Sequence, residues 1–196
     1  MMRVAGDRDR VRPRAMRHST FDTRRKEKRV KIAVELQPTT GSSADVEYTW
    51  DPDTEILSAQ LSPPASGDGI SGSLGVEGND GSWLILDVQA GRINGVEVAV
   101  WPDVRKLPAL SPPSHVEDAD LVVPATRTGA DVASMEMETR LVAESDPTER
   151  NFHFRLGKPR DSRTVRVARN LLVDVDDKSR IAGLWLLNVP PAPADL

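Results

Sequence analysis

The chain contains no cysteine and few aromatic residues, with four Trp, three Phe and one Tyr among 196 residues. The first absence excludes disulfides, thiolate metal sites and cysteine nucleophiles together. Only three histidines are present, which argues against a zinc site built from imidazoles, and neither a metal nor a cofactor is expected. No apolar run reaches the roughly 20 residues needed to span a bilayer as a helix, and the amino-terminal stretch lacks the apolar segment of a secretory signal. A cytoplasmic protein with no membrane partner is the expectation. Because aromatics are scarce and Pro plus Gly total 28 (15 + 13), the core must come from Val, Leu and Ile in short segments joined by turns. That composition predicts a mainly β fold, β-rich α+β at most.

What the chain does contain is an internal repeat. Asp51-Pro52 is followed by ILSAQL (56–61), a Gly-rich stretch, WLILDV (83–88), a turn and RINGVEVAVWP (92–102). Asp146-Pro147 is followed by NFHFRL (151–156), LLVDV (171–175), a turn and RIAGLWLLNVP (180–190). Asp51 and Leu61 map onto Asp146 and Leu156 at an offset of 95 (146 − 51 = 156 − 61). Arg92, Ile93, Gly95 and Pro102 map onto Arg180, Ile181, Gly183 and Pro190 at an offset of 88 (180 − 92). A constant offset on each side of one gap is the mark of duplication followed by loop trimming.

The alternation of strands then sorts faces. Leu84, Leu86 and Val88 share a side, as do Leu171, Val173 and Val175, and these six should form a common core. LWLLNV (184–189) is apolar on both faces and should be covered on both, in a central position. Neither copy alone has enough apolar surface for secure stability, so two pseudo-repeated hairpin-containing units, 44–107 and 132–191, should share one core.

Along the chain, residues 1–28 read as a disordered basic arm, 29–107 as the first β unit, 108–131 as a proline-rich linker, 132–191 as the second β unit and 192–196 as a tail. Val30, Ile32, Val34 and Leu36 alternate like a half-buried strand. Residues 62–82 read as a long Ser/Gly/Pro loop, Gln89-Ala90-Gly91-Arg92 as a hairpin turn, and Pro102-Asp103 as the opening of a short helical turn through Leu107. Charge is unevenly distributed. Residues 1–31 hold 12 of the 26 Lys and Arg against 4 acids, about +8, which leaves the remainder at −12 for a total of −4.

The repeated acidic turn, short strand, apolar strand ending in Asp, and Arg-Ile-x-Gly hairpin resemble a small bacterial domain family of unknown function. Its single-copy members follow the pattern YDxxxDxLYIxL, then VxxDxDxxGxxxGIEIL. Asp174, Asp176, Arg180 and Gly183 match it in the second copy, and Asp51, Asp87, Gly91, Gly95 and Glu97 in the first. The Leu-Tyr pair departs from the pattern, being Ile56-Leu57 in one copy and Asn151-Phe152 in the other. The resemblance implies a small β-rich fold and an antitoxin-like or regulatory binding role, with no catalytic residues to carry over.

The candidates for chemistry are few. Asp87 and Asp174 occupy equivalent positions, and a pseudo-twofold axis would bring two carboxylates together for acid/base work or for a hard cation. The plainer alternative is that each caps its own turn. His153 lies between Phe152 and Phe154 and shares a face with Asn151 and Arg155, which predicts a solvent-facing side chain rather than a general base. Gly67, Gly69 and Gly72 spell G-x-G-x-x-G, but Pro63-Pro64 precede them and no helix can follow, so a flexible loop is expected in place of a dinucleotide site.

Arg24, Arg25, Lys26, Lys28, Arg29 and Lys31 can neutralise phosphates and would bind nucleic acid or another polyanion without sequence choice. Three readings of function follow. The leading one is a non-catalytic interaction or regulatory module with a protein partner or with itself. The others are polyanion binding through the arm, and a weak hydrolase or metal-dependent enzyme using Asp87, Asp174 and His153.

Overall fold

The computed structural model describes residues 32–39, 44–124 and 134–193. The six arm residues Arg24, Arg25, Lys26, Lys28, Arg29 and Lys31 lie outside them. The described residues form fourteen strands and no helix, as the composition predicts.

Unit one is an antiparallel sheet in the order β2 (Asp45–Trp50), β3 (Leu57–Ser62), β6 (Arg92–Val100), β5 (Trp83–Gln89) and β4 (Gly72–Gly78). Unit two has the same order in β10 (Leu141–Ser145), β11 (Phe152–Leu156), β14 (Ile181–Leu186), β13 (Leu171–Asp176) and β12 (Ser162–Ala168). The repeat extends to residue register. Val46 faces Leu61 as Leu141 faces Leu156, and Ser58 faces Glu97 as His153 faces Trp185. Asp87 faces Gly95 as Asp174 faces Gly183, and Ser73 faces Asp87 as Thr164 faces Asp174.

Four further strands join the units. β9 (Ser134–Thr139) runs parallel to β4 and leads into β10. β8 (Glu117–Val122) runs parallel to β12, antiparallel to β1 (Glu35–Pro38), and meets β6 at the pair Arg92–Val122. β7 (Val104–Lys106) leaves unit one and lies parallel to β10. The result is one continuous sheet curled around a single core to which both units contribute. Leu84, Leu86, Val88, Leu171, Val173 and Val175 are all buried in it. β14 is central in unit two and buried on both faces; its outward Trp185 and, just after the strand, Leu187 join Leu172 in a second cluster closed by Leu110 and Val116.

The seam between units holds five of the chain's eight aromatic residues. Trp50 stacks on Trp101 at 5.7 Å, and Trp101 lies 5.2 Å from Phe152 and 5.9 Å from Phe154. The hydroxyl of Tyr48 donates across the seam to the carbonyls of Asn170 (3.1 Å) and Leu187 (2.9 Å). Burial pushes the Tyr48 hydroxyl pKa well up, against a smaller opposing effect of its Leu187 hydrogen bond.

Two expectations need correction, and one strand was not expected. The Pro102–Leu107 segment is not a helical turn, because β10 offers an edge and Val104 to Lys106 bond to it as a strand. Residues 62–82 are not one loop, since 72–78 form β4 despite their glycines, flanked by β5 and β9. β12 carries no clear strand signal in the sequence, because Arg163 and Arg166 interrupt its apolar residues Val165, Val167 and Ala168.

The Ala90-Gly91 turn forms as expected, with φ of +52° and +73°, a pairing typical of two-residue hairpins.

Candidate functional site

The densest group of buried polar side chains lies on unit two, and a glycine makes room for it. β14 separates β11 from β13, and a Cβ on Gly183 would stand 3.1 Å from Asp174 Oδ2 and 3.2 Å from His153 Nε2. Without one, the imidazole of His153 crosses β14 and meets Asp174, with Nε2 2.8 Å from Oδ2. The ring stacks on Trp185 with centroids 4.0 Å apart and planes at 7°. Thr164 Oγ1 donates to the other oxygen of Asp174 at 2.7 Å. His153 is thus not solvent-facing: the side chain is 13% exposed because Trp185 covers its face. Alternation placed its side of the strand correctly, but that side is itself covered.

Glu144 flanks the group. Its carboxylate is 7% exposed, accepts from Arg155 at 2.8 Å, pairs with Arg105 from β7, and lies 4.0 Å from His153 Nδ1. The indole Nε1 of Trp185 is buried without a hydrogen-bond partner. Each carboxylate here is engaged by protein groups, and the imidazole lies between Asp174 and Glu144 rather than beside an open space.

Asp176, two residues beyond Asp174, does the turn capping. It accepts from the backbone N–H of Lys178 (2.9 Å) and Arg180 (3.0 Å) and from Arg180 Nε (2.8 Å). Arg160 Nε lies 2.9 Å away, oriented for charge attraction rather than for a hydrogen bond. Burial alone would raise its pKa, yet the Arg180 side chain, the two N–H groups and the Arg180 charge together lower it to about 2.

Unit one builds the same position with weaker chemistry. Asp87 is half-buried and accepts from Asn94 Nδ2 at 3.0 Å, and Gln60 packs over Gly95 where His153 and Phe154 approach Gly183. Asp87 and Asp174 make no common contact among the described residues. Four strand steps separate β5 from β13 along the sheet, a path of about 19 Å. The structure therefore brings His153 to Asp174 and leaves Asp87 within its own unit. Of the residues around His153, the sequence placed only Arg155 on its face; Thr164, Glu144 and Trp185 carry no signal of their own, and the repeated Asp opposite a repeated Gly was the available one.

Gly69 is held against the backbone of the Ala90-Gly91 turn, where a Cβ would meet Ala90 C at 2.5 Å, and Gly91 N donates to Ile70 O at 2.7 Å. Gly72 then opens strand β4, not a helix, so this glycine run clasps a hairpin.

At the junction of the units lies an open cleft of about 540 Å³. Leu61, Pro63, Pro64 and Ile93 of unit one, Leu121 of β8 and Val167 of β12 supply its apolar lining. Its charged lining is paired, Arg92 with Asp120 at 3.1 Å and Arg166 with Asp118 at 2.9 Å. None of Asp87, Asp174 and His153 lines it. Among the described residues no three His, Asp or Glu side chains converge as a metal set, and no helix is long and apolar enough to cross a membrane. No protein-family model matches the sequence, and no curated protein matches it.

Proposed function

We propose that this chain is a non-catalytic interaction module that offers the cleft between its two units to a protein partner. The observation that carries the reading is the separation of chemistry from access. The ionisable side chains best placed to react, His153, Asp174 and Glu144, are bound to one another and to Thr164, Arg155 and Arg105. The accessible concavity is lined by apolar side chains and neutralised Arg–Asp pairs. A surface of that make-up suits recognition by shape and hydrogen bonding more than proton transfer.

Quantitative cross-linking and affinity capture with three forms of the full chain test it. The wild type and His153→Asn should recover the same partner in equal amount, whereas Ser66→Trp, on the exposed rim of the cleft, should lose it. Equal recovery by all three sets the cleft aside. Loss only in His153→Asn would favour a reacting site.

A second reading, polyanion binding through residues 24–31, is supported by the charge of about +8 on residues 1–31. Affinity for duplex DNA or RNA should fall steeply from low to physiological salt and vanish on deletion of residues 1–28. Retention of full affinity after that deletion would dismiss it.

A further inference from the structure

The two units differ at one edge. In unit two the outer edge of β10 is occupied by β7 in parallel, with Val104 to Lys106 beside Ala143 to Ser145. Leu107 N donates to Ser145 O at 2.8 Å. In unit one the equivalent edge belongs to β2, at Tyr48 to Trp50 (143 − 95 = 48), and among the described residues β2 has no strand on that side. Burial agrees, since Thr49 is exposed whereas its counterpart Glu144 is buried. Asp51 N bonds inward to Ile56 O, so by alternation the backbone groups of Tyr48 and Trp50 face outward.

Among the described residues the chain after β14 does not pair with this edge, and its proline content disfavours such pairing. At the offset of 88, Arg105 corresponds to Pro193 (105 + 88). Arg105 shares the orientation of Leu107, the side that donates to β10, and a proline there has no N–H to donate. Pro191 to Pro193 are exposed and have no backbone hydrogen bond among the described residues, while Trp50 Nε1 donates to Pro190 O at 3.0 Å beside them.

We infer that the β2 edge at Tyr48–Trp50 binds an extended, basic peptide segment of a partner protein in parallel orientation, as β7 binds β10. The occupant's charge follows from two observations. The internal precedent is Val-Arg-Lys, whose Arg105 pairs with Glu144 and whose Lys106 pairs with Glu149 at 3.0 Å. Around the open edge, Glu47, Asp51, Asp53 and Glu55 are exposed acids. A second copy meeting edge to edge would set those acids against themselves, which is repulsive. Main-chain bonds to an open edge supply affinity, and the charged side chains supply the choice of partner. This surface is separate from the cleft and does not depend on it.

The experiment uses the full chain and a synthetic capped peptide of residues 101–110, WPDVRKLPAL, the sequence that fits the equivalent edge. Amide chemical shifts of Tyr48 and Trp50 should move on titration, while those of Ala143 and Ser145, already paired with β7, should not. Thr49→Glu recreates the partner of Arg105 and should tighten binding about three-fold, and Thr49→Arg should weaken it about three-fold, the effect expected of one exposed ion pair. Ser66→Trp should leave peptide binding unchanged, so this proposal and the cleft reading fail independently. Absence of shifts at Tyr48 and Trp50 at millimolar peptide, or equal affinity of the two Thr49 variants, overturns the proposal. Concentration-dependent broadening of the β2 amides without peptide also overturns it, in favour of a second copy.

Discussion

Units one and two share strand order and register but have exchanged bulk. Where unit one has Trp50 and Trp101, unit two has Ser145 and Val189; where unit two has Phe152 and Phe154, unit one has Leu57 and Ala59. The four large rings meet in one seam. Two identical halves would have crowded rings against rings or left voids, whereas this division fills the seam once. Polar chemistry diverged the other way. Unit two buries Asp174 and Asp176 in networks, and unit one has half-buried Asp87 and exposed Gln89 at the same positions. Without an acid at 89, Arg92 turns to Asp120 on β8, whereas Arg180 stays with Asp176. Arg92 is thus tied to the joining strand, whereas Arg180 stays within its own turn.

Substitutions at paired positions should have unequal effects in the two units. The largest effect should come from Phe154→Ala, which empties the centre of the seam and should cost about 3–5 kcal/mol in urea unfolding, whereas Ala59→Gly should cost about 1.

Next is Asp176→Ala, which strands Arg180 and two N–H groups and should cost about 3 kcal/mol, with Gln89→Ala nearly neutral. Because the Asp176 pKa is depressed to about 2, its contribution is present above the ordinary carboxylate range and lost as pH falls from about 4 toward 2. An Asp176→Asn variant should therefore show a shallower loss of stability over that acid window than the wild type.

Asp174→Ala leaves His153 and Thr164 without their acceptor and should cost about 2–3 kcal/mol, against about 1 or less for Asp87→Ala. Equal costs would show that the two positions have not diverged energetically. The smallest contrast lies in the turns: Ser179 holds φ of +53° without glycine's freedom and Gly91 sits at +73°. Ser179→Gly should gain, and Gly91→Ala lose, about 1 kcal/mol each by thermal melts.

The repeat, the β class, the six shared core positions and the Ala90-Gly91 turn were legible in the sequence because they depend on period-two alternation and local turn chemistry. β4 and β12 were not, since glycines in one and arginines in the other interrupt the apolar alternation, and each is held as a strand by pairing on both sides, β4 with β5 and β9 and β12 with β13 and β8. The same holds at the site. Alternation gives the face on which His153 lies, but the cover of that face by Trp185, and the passage opened by Gly183, are properties of the assembled sheet. The Asp–Gly pairs at 87/95 and 174/183 marked the place without revealing that one holds an imidazole and the other an amide.

Two units wrapped around one shared core should unfold as one cooperative body, and calorimetry of the full chain measures that cooperativity. A single thermal transition is expected, with van't Hoff and calorimetric enthalpies in agreement and the fluorescence of the Trp50–Trp101 seam changing at the same temperature as the β-sheet signal. Two resolved transitions, or a seam signal lost well before the sheet melts, would contradict it.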